Sequence, residues 1–229
     1  MIPCSPRRRQ ILPLMALSLL LAPVASQAAT IKGTVILPTD IKNNRRFTGH
    51  WRVEGVLPIA PPAQRGDTVV ILSGIRGQAV PAKTTQVEIV GLAASPGTVV
   101  ITEGSVVEFK NSDKVAHELV LADKPDIMPT EQLASGKVRK VRFAMPGEYL
   151  VRCTEYPHIV ISVLVTSTPL FAIVEDKGVF HLPDSPEGKG TIKVWSAGRF
   201  VHEQEVEVTA KDLELTIKVA STTAKDSAE

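Results

Sequence analysis

The chain has 229 residues, which is long enough for one or two domains. Its side chains are 44% hydrophobic, 22% charged and 4% aromatic, with both charge signs mixed along the sequence. This balance predicts a globular protein. It excludes a disordered tail and a fibre. A polytopic membrane protein is also excluded, because the sequence has only one extended apolar stretch. The formal charge is only +2 and no stripe of lysine and arginine occurs, so nucleic acid is not expected as a partner.

Residues 1–28 predict an export signal. Three basic residues, Arg7 to Arg9, precede the 15-residue apolar stretch Ile11–Ala25, and Ser26-Gln27-Ala28 offers the small residues of a cleavage site. The stretch is short for a spanning helix, which needs about 20 residues. Cleavage would change the formal charge from +2 to −1 and leave no membrane span. The alternatives are an uncleaved anchor and, for the route, a twin-arginine or a general secretory signal. We expect a periplasmic or otherwise exported protein.

Cys153 is the first residue that needs a chemical explanation. The sequence has two cysteines, and cleavage of the signal would remove Cys4. An exported chain with one thiol cannot form an internal disulfide, and a lone thiol in an oxidising compartment is a liability unless it is buried or occupied.

Short strands account for most of the remaining sequence. Between residues 96 and 165, apolar and β-branched runs alternate with turn signals such as Pro96-Gly97, Glu103-Gly104 and Pro146-Gly147. This spacing is typical of an all-β sandwich or barrel, and no segment after the signal has a sustained helical period. The proline-rich stretch 40–64 predicts a long loop, and residues 222–229 predict a disordered tail.

A thiol and two imidazoles form the candidate site. His158 follows Cys153 by five residues at a strand end, and His117 begins another strand 36 residues earlier. One cysteine and two histidines that converge at one end of a sandwich are the ligand set of a trigonal cupric site. The alternatives are an inert buried thiol and two histidines without a metal, and His50, His181 and His202 are expected at the surface.

Two longer patterns carry a family resemblance. The segment Phe143-x-x-Pro146-Gly147-x-Tyr149-x-x-x-Cys153-x-x-x-x-His158 resembles the cupredoxin signature. Upstream, Val100-x-x-x-Gly104-x-x-Val107-x-Phe109-x-Asn111-x-Asp113-x-x-x-His117 resembles the strand pair that delivers the first histidine of that family. The resemblance covers about residues 87–165. It implies a Greek-key sandwich with one copper ion held by His117, Cys153 and His158.

The sequence departs from azurin-like and plastocyanin-like proteins at the axial position. Those proteins have a methionine shortly after the second histidine, whereas no methionine follows Met145 here. The axial position would therefore be empty, filled by a backbone oxygen, or filled by Glu118, Glu155 or Ser162. The axial ligand tunes the redox potential, and a carboxylate would move the site away from blue-copper chemistry.

The ends of the chain predict a second, discontinuous domain. The segment Asp176-x-Gly178-x-Phe180, followed by Pro186-x-Gly188, resembles half of a carboxypeptidase-regulatory-like, transthyretin-like β-sandwich. Residues 31–36 and 67–72 resemble its opening strands. The predicted domains are thus 29–78 plus 169–221 for this sandwich and 79–168 for the inserted cupredoxin domain. The alternative is two domains in series. The inserted layout resembles bacterial exported cupredoxin proteins named for methylamine utilisation.

This resemblance implies a periplasmic one-electron carrier that works with a redox partner protein. We expect no enzyme: multicopper oxidases and copper nitrite reductases need additional histidine clusters, and the chain has five histidines in all. No nucleophilic triad or phosphate-binding loop occurs. The alternatives are copper binding for delivery or sequestration, and a metal-free cupredoxin-like module that binds other proteins.

Overall fold

A computed structural model describes residues 29–38, 67–75, 82–175, 177–196 and 198–220. The predicted signal, the predicted loop 40–64 with His50, and the predicted tail lie outside these ranges. The described residues form sixteen strands and no helix, so the all-β prediction is confirmed. Accordingly, none of the described segments is a helix of the length and apolar character needed to cross a bilayer.

Nine consecutive strands build the central sandwich. They form two sheets, with strand orders β4-β3-β6-β9 and β5-β11-β10-β7-β8. Their bounds are β3 Thr84–Val90, β4 Ala93–Ser95, β5 Thr98–Thr102, β6 Val106–Asn111, β7 His117–Val120, β8 Glu131–Leu133, β9 Val138–Arg142, β10 Gly147–Cys153 and β11 Val160–Thr166.

Alternation along the strands explains the core of the central sandwich. On β10, Tyr149, Val151 and Cys153 are buried, and the residues between them are not. These side chains join one apolar cluster with residues of the facing sheet, such as Val107 and Phe109 on β6. Because side chains point alternately to opposite faces of a strand, the pattern places the thiol at the inner face of a strand end.

The remaining strands build the terminal sandwich. Its sheets have the orders β13-β1-β16 and β12-β2-β14-β15 and share one apolar cluster. Their bounds are β1 Ala29–Ile36, β2 Thr68–Ser73, β12 Phe171–Ile173, β13 Val179–Ser185, β14 Gly188–Ser196, β15 Arg199–Val208 and β16 Leu213–Lys218. Strand β1 pairs with β13 and β16, and β2 pairs with β12 and β14. The strands that precede the central sandwich therefore pair with those that follow it.

A small apolar seam joins the two sandwiches. It consists of Val69, Ile71 and Trp195 from the terminal sandwich and Leu164 from β11 of the central one. Leu164 faces the seam, while its neighbours Val163 and Val165 face the central core. Strand β11 is therefore covered on both faces, which explains why it is a nearly continuous apolar run.

Candidate metal centre

Cys153 and His117 lie against each other at the ends of two neighbouring strands. Strands β7 and β10 are antiparallel, with Cys153 opposite Leu119 and Arg152 opposite Val120. The His117 side chain is 0% exposed and Cys153 is 2% exposed. The distance from Cys153 Sγ to His117 Nδ1 is 3.8 Å. The structure thus brings two of the predicted ligands together inside the central core.

This separation suits two ligands of one metal ion. A metal–thiolate bond of about 2.3 Å and a metal–imidazole bond of about 2.0 Å, at an angle of about 120°, place sulfur and nitrogen about 3.7 Å apart. The same atoms, without a metal, interact as a weak thiol–imidazole hydrogen bond.

Asp113 determines which nitrogen of His117 carries the proton. His117 Nε2 lies 3.0 Å from the Oδ2 atom of Asp113, and the aspartate side chain is only 11% exposed. A carboxylate oxygen accepts and does not donate, so Nε2 is the donor. In the neutral imidazole the lone pair is then on Nδ1, which is the atom that faces the thiol. A carboxylate that orients an imidazole in this way is a common feature of metal sites.

His158 has the same tautomer, set by a backbone group. Its Nε2 atom donates to the carbonyl oxygen of Leu92 at 2.8 Å, and its Nδ1 atom is buried. Burial lowers the pKa of His158; the bond to the Leu92 carbonyl opposes this shift, and the nearby His117 adds to it. The imidazole is therefore favoured in its neutral form, with the lone pair on Nδ1.

Tyr156 packs against both imidazoles. Its ring centroid lies 5.2 Å from that of His117 and 6.2 Å from that of His158, and both contacts are edge-to-face. The residue belongs to the loop between the thiol and the second histidine. This ring therefore covers part of each imidazole.

The environment of Cys153 favours the protonated thiol in the absence of a metal. Burial raises the pKa of the thiol, while the backbone N–H groups of Tyr156 and Glu155 oppose that shift. The Glu155 side chain adds to the increase, because its Oε2 atom lies 3.5 Å from Sγ. A metal would have to displace this proton, since the thiolate is the ligand.

The three axial candidates occupy different positions. Glu155 is beside the thiol, and its Oε2 atom also accepts the backbone N–H of Glu118 at 2.7 Å. The carboxylate of Glu118 accepts from the Thr154 hydroxyl at 2.6 Å. Ser162 is buried on the face of β11 away from the central core and lines a cavity between the sandwiches. Glu155 alone of the three is in contact with the thiol.

Three neighbours of the site were not among the predicted site residues. They are Asp113, Leu92 and Tyr156, which hold the two imidazoles. Asp113 is part of the pattern that precedes His117 in the sequence, but that pattern does not reveal which nitrogen of His117 it contacts. Leu92 acts through its backbone carbonyl, and side-chain chemistry gives no signal for that.

Within the described ranges, no three His, Cys, Asp or Glu side chains converge closely enough to form a complete metal cage. The arrangement is a close pair, Cys153 with His117, and an oriented third donor, His158. These donor types fit copper: a thiol that can lose its proton to a metal, and two imidazoles whose Nε2 atoms are engaged in hydrogen bonds, which leaves Nδ1 for a metal.

The solved structures similar to this chain include several forms of amicyanin. The amicyanin of Paracoccus versutus is 24% identical, with a TM-score of 0.33, over 38% of this chain and 85% of that one. A reduced proline-to-phenylalanine variant of amicyanin is 16% identical, with a TM-score of 0.33, over 35% of this chain and 80% of that one. A methionine-to-alanine variant in its Cu(I) form is 18% identical, with a TM-score of 0.31, over 39% and 86%.

Because these TM-scores are below 0.5, our description of the fold rests on the strand orders and registers above, and not on this likeness. No protein-family model matches the sequence, and no curated protein is detectably similar to it.

Proposed function

We propose that this chain is an exported mononuclear copper protein that carries one electron between partner proteins. His117, Cys153 and His158 would hold the ion. The observation that supports this most is the contact of 3.8 Å between Cys153 Sγ and His117 Nδ1, with both imidazoles in the tautomer that presents Nδ1. Copper held there would supply one-electron chemistry, because it alternates between the cuprous and cupric states.

The chain's contribution would be to hold the donors still. Both His117 and Cys153 end strands of a packed five-stranded sheet, and His158 is bound to the backbone of the facing sheet at Leu92. A packed sandwich does not rearrange easily, so the donor positions would change little between two oxidation states. A site that needs little rearrangement suits electron transfer better than catalysis, and we propose no enzymatic activity.

A copper titration tests this function. The chain without residues 1–28 has Cys153 as its only cysteine, so a thiolate–copper charge-transfer band can be assigned to one residue. We expect binding of one equivalent with strong visible absorption, and loss of that band in Cys153→Ser. The matched control is His202→Ala in the terminal sandwich, which should leave the band unchanged. Stoichiometric copper binding with the band intact in Cys153→Ser would contradict the assignment.

Copper delivery or sequestration is the second candidate, and the position of Glu155 favours it. A carboxylate 3.5 Å from the thiol offers a hard oxygen donor, which stabilises cupric copper and lowers the redox potential. Reversible reduction of the copper-loaded protein separates the two candidates. A carrier would be reduced and reoxidised without loss of copper, whereas a delivery protein would release the ion. A chain that binds no copper would point to the metal-free protein-binding module.

We also propose that the chain consists of a cupredoxin-like domain, 79–168, inserted into a carboxypeptidase-regulatory-like sandwich, 29–78 plus 169–221. The pairing of β1 with β13 and β16, and of β2 with β12 and β14, supports a discontinuous terminal domain. The names of both families come from the sequence motifs, and the exact bounds stay predictions.

A further inference from the structure

The turn between β3 and β4 has an unusual backbone. Val90 pairs with Ala93, so Gly91 and Leu92 form a two-residue hairpin turn, and their φ angles are +61° and +58°. Positive φ at both positions defines a type I′ turn, which normally has glycine or asparagine at these places. A leucine with positive φ is unfavourable, and such residues persist where surrounding interactions hold them.

Asp113 supplies those interactions. Its Oδ1 atom accepts the N–H of Gly91 at 2.6 Å, and its Oδ2 atom accepts the N–H of Leu92 at 3.1 Å. The same Oδ2 atom accepts from His117 Nε2 at 3.0 Å. Asp113 is itself fixed, because its N–H donates to the side chain of the fully buried Asn111 at 2.9 Å. One carboxylate therefore orients the first imidazole and holds the turn.

The Gly91–Leu92 turn also holds the second imidazole, that of His158. The carbonyl oxygen of Leu92 accepts from His158 Nε2 at 2.8 Å. A continuous series of hydrogen bonds thus runs from His117 through Asp113 and the backbone of Leu92 to His158. The two histidines are 41 positions apart in sequence, but they are connected through one carboxylate and one peptide unit.

We propose that Asp113 and the Gly91–Leu92 turn form one positioning unit that holds His117 and His158 together, each with Nδ1 directed to the site. The use of those Nδ1 atoms as metal donors rests on the proposed function. Neither Asp113 nor Leu92 would bind the ion. Their effect is to select the tautomer and the orientation of both imidazoles before any metal arrives.

The unit can be tested in the metal-free protein by ¹⁵N nuclear magnetic resonance of the imidazoles at about pH 8, which is above the ordinary pKa of a histidine side chain. Both His117 and His158 should be Nε2–H tautomers in the unchanged chain. In Asp113→Ala, both should shift toward a mixture of tautomers, while His181 and His202 stay as they were. Asp126→Ala, at an exposed position of the same sandwich, is the matched control and should change none of them.

Two results would overturn the proposal. If Asp113→Ala altered His117 but left His158 unchanged, the turn would not connect the two imidazoles. If neither changed, Asp113 would not position them. Asp113→Asn serves as a second variant if the alanine variant does not fold. Its single amide oxygen cannot replace all three accepted hydrogen bonds, so the same direction of change is expected, with a smaller amplitude.

Leu92→Gly separates the backbone of the turn from its side chain. Glycine adopts positive φ readily and keeps the carbonyl oxygen, so the tautomer of His158 should be retained. A changed tautomer in this variant would contradict a role for the backbone carbonyl.

Copper affinity gives an independent readout, measured by competition with a chelator. Loss of a group that orients a metal ligand typically weakens binding about 10- to 100-fold. We expect a loss of that size for Asp113→Ala and none for Asp126→Ala; an unchanged affinity for Asp113→Ala would overturn the role of the unit in binding. If the unchanged chain bound no copper while its tautomers were as expected, the proposed function would fail and the positioning unit would stand.

Discussion

The two sandwiches use their buried positions differently. The central sandwich buries a thiol, an imidazole and the amide of Asn111 at one end, each with hydrogen-bond partners. Among its described residues, the terminal sandwich has a core of aliphatic side chains with Phe180, and the polar groups buried there include the hydroxyls of Ser185 and Ser196 and the indole N–H of Trp195. In the part of the chain that the structure describes, the candidate site therefore lies in the central sandwich, although both halves are built from similar strands.

The difference shows what a buried polar site requires. A buried polar group destabilises the fold unless its hydrogen bonds are made, by about 1–3 kcal/mol for each unpaired group. In the central sandwich, loops and turns supply these bonds at the strand ends. The terminal sandwich instead brings backbones close together, as at Gly33, whose place beside Phe180 and Leu215 leaves no room for a side chain. The central sandwich thus has buried polar side chains at one end, whereas the terminal sandwich has a close approach of strands at Gly33.

The largest effect should come from the seam that joins the two halves. Trp195 is 1% exposed and packs with Leu164 of the central sandwich. Trp195→Ala should lower the free energy of unfolding by about 4 kcal/mol, because it removes a large buried side chain and leaves a cavity. Circular dichroism during denaturation by urea measures this change.

A double-mutant cycle with Leu164→Ala separates contact across the seam from packing within the terminal sandwich. If the two side chains stabilise each other, the double variant should lose less than the sum of the two single losses. Additive losses would show that the halves do not support each other at this contact. Trp195→Phe, which keeps an aromatic ring, should retain part of the stability.

Gly33→Ala should disturb the terminal sandwich alone. An added Cβ would overlap the carbonyl oxygen of Leu215 and lie 2.7 Å from Cε1 of Phe180, so strands β1, β13 and β16 would have to separate. We expect a loss of about 3 kcal/mol in the free energy of unfolding. Gly198→Ala is the control: its φ is +84° but its surroundings are open, so the loss should be about 1 kcal/mol. Equal losses in the two variants would contradict the close approach at Gly33.

The sequence was sufficient to predict that the chain consists of strands. It was also sufficient to expect the Cys153 and His117 side chains at the same end of the sandwich, where they lie in contact. Alternation on β10 and the spacing of turns are local signals, and they depend on the same physics in every sandwich. The orientation of Ser162 could not be predicted from such local signals. Strand β11 is covered on both faces, so its apolar run does not reveal which face each residue occupies, and the side chain points away from the thiol.

The hydrogen bonds of the two imidazoles could not be predicted from the sequence, for a different reason. Leu92 contacts His158 through its backbone, 66 positions away, and depends on a backbone conformation that leucine rarely adopts. No residue-type preference predicts such a contact. The sequence indicated which donors are present, and only the folded chain shows how they are oriented.

The smallest expected effect concerns Glu148, at the boundary between the two halves. It lies on β10 next to the core residue Tyr149 but faces the other way, into an open cavity of about 470 Å³ that Trp195 and Ser162 also line. The partial loss of solvent around the carboxyl group raises the pKa of Glu148. The indole N–H of Trp195 opposes part of this shift, although it does not reach standard hydrogen-bond geometry.

A raised pKa in the folded state means that the folded chain binds this proton more tightly than the unfolded chain does. Stability must then fall as pH rises from the ordinary glutamate range through the raised pKa. Glu148→Gln removes this titration, so the unfolding free energy of the unchanged chain, relative to the variant, should decrease between pH 4 and pH 7. Because the side chain remains exposed to solvent, the decrease should be about 0.5 kcal/mol or less. Glu205→Gln, at an exposed position on β15, controls for the loss of one negative charge. If the stability of the unchanged chain relative to Glu148→Gln instead increased with pH, the carboxylate of Glu148 would have a favourable partner in the cavity. The boundary between the sandwiches would then contain a polar group with its interactions made, as the end of the central sandwich does.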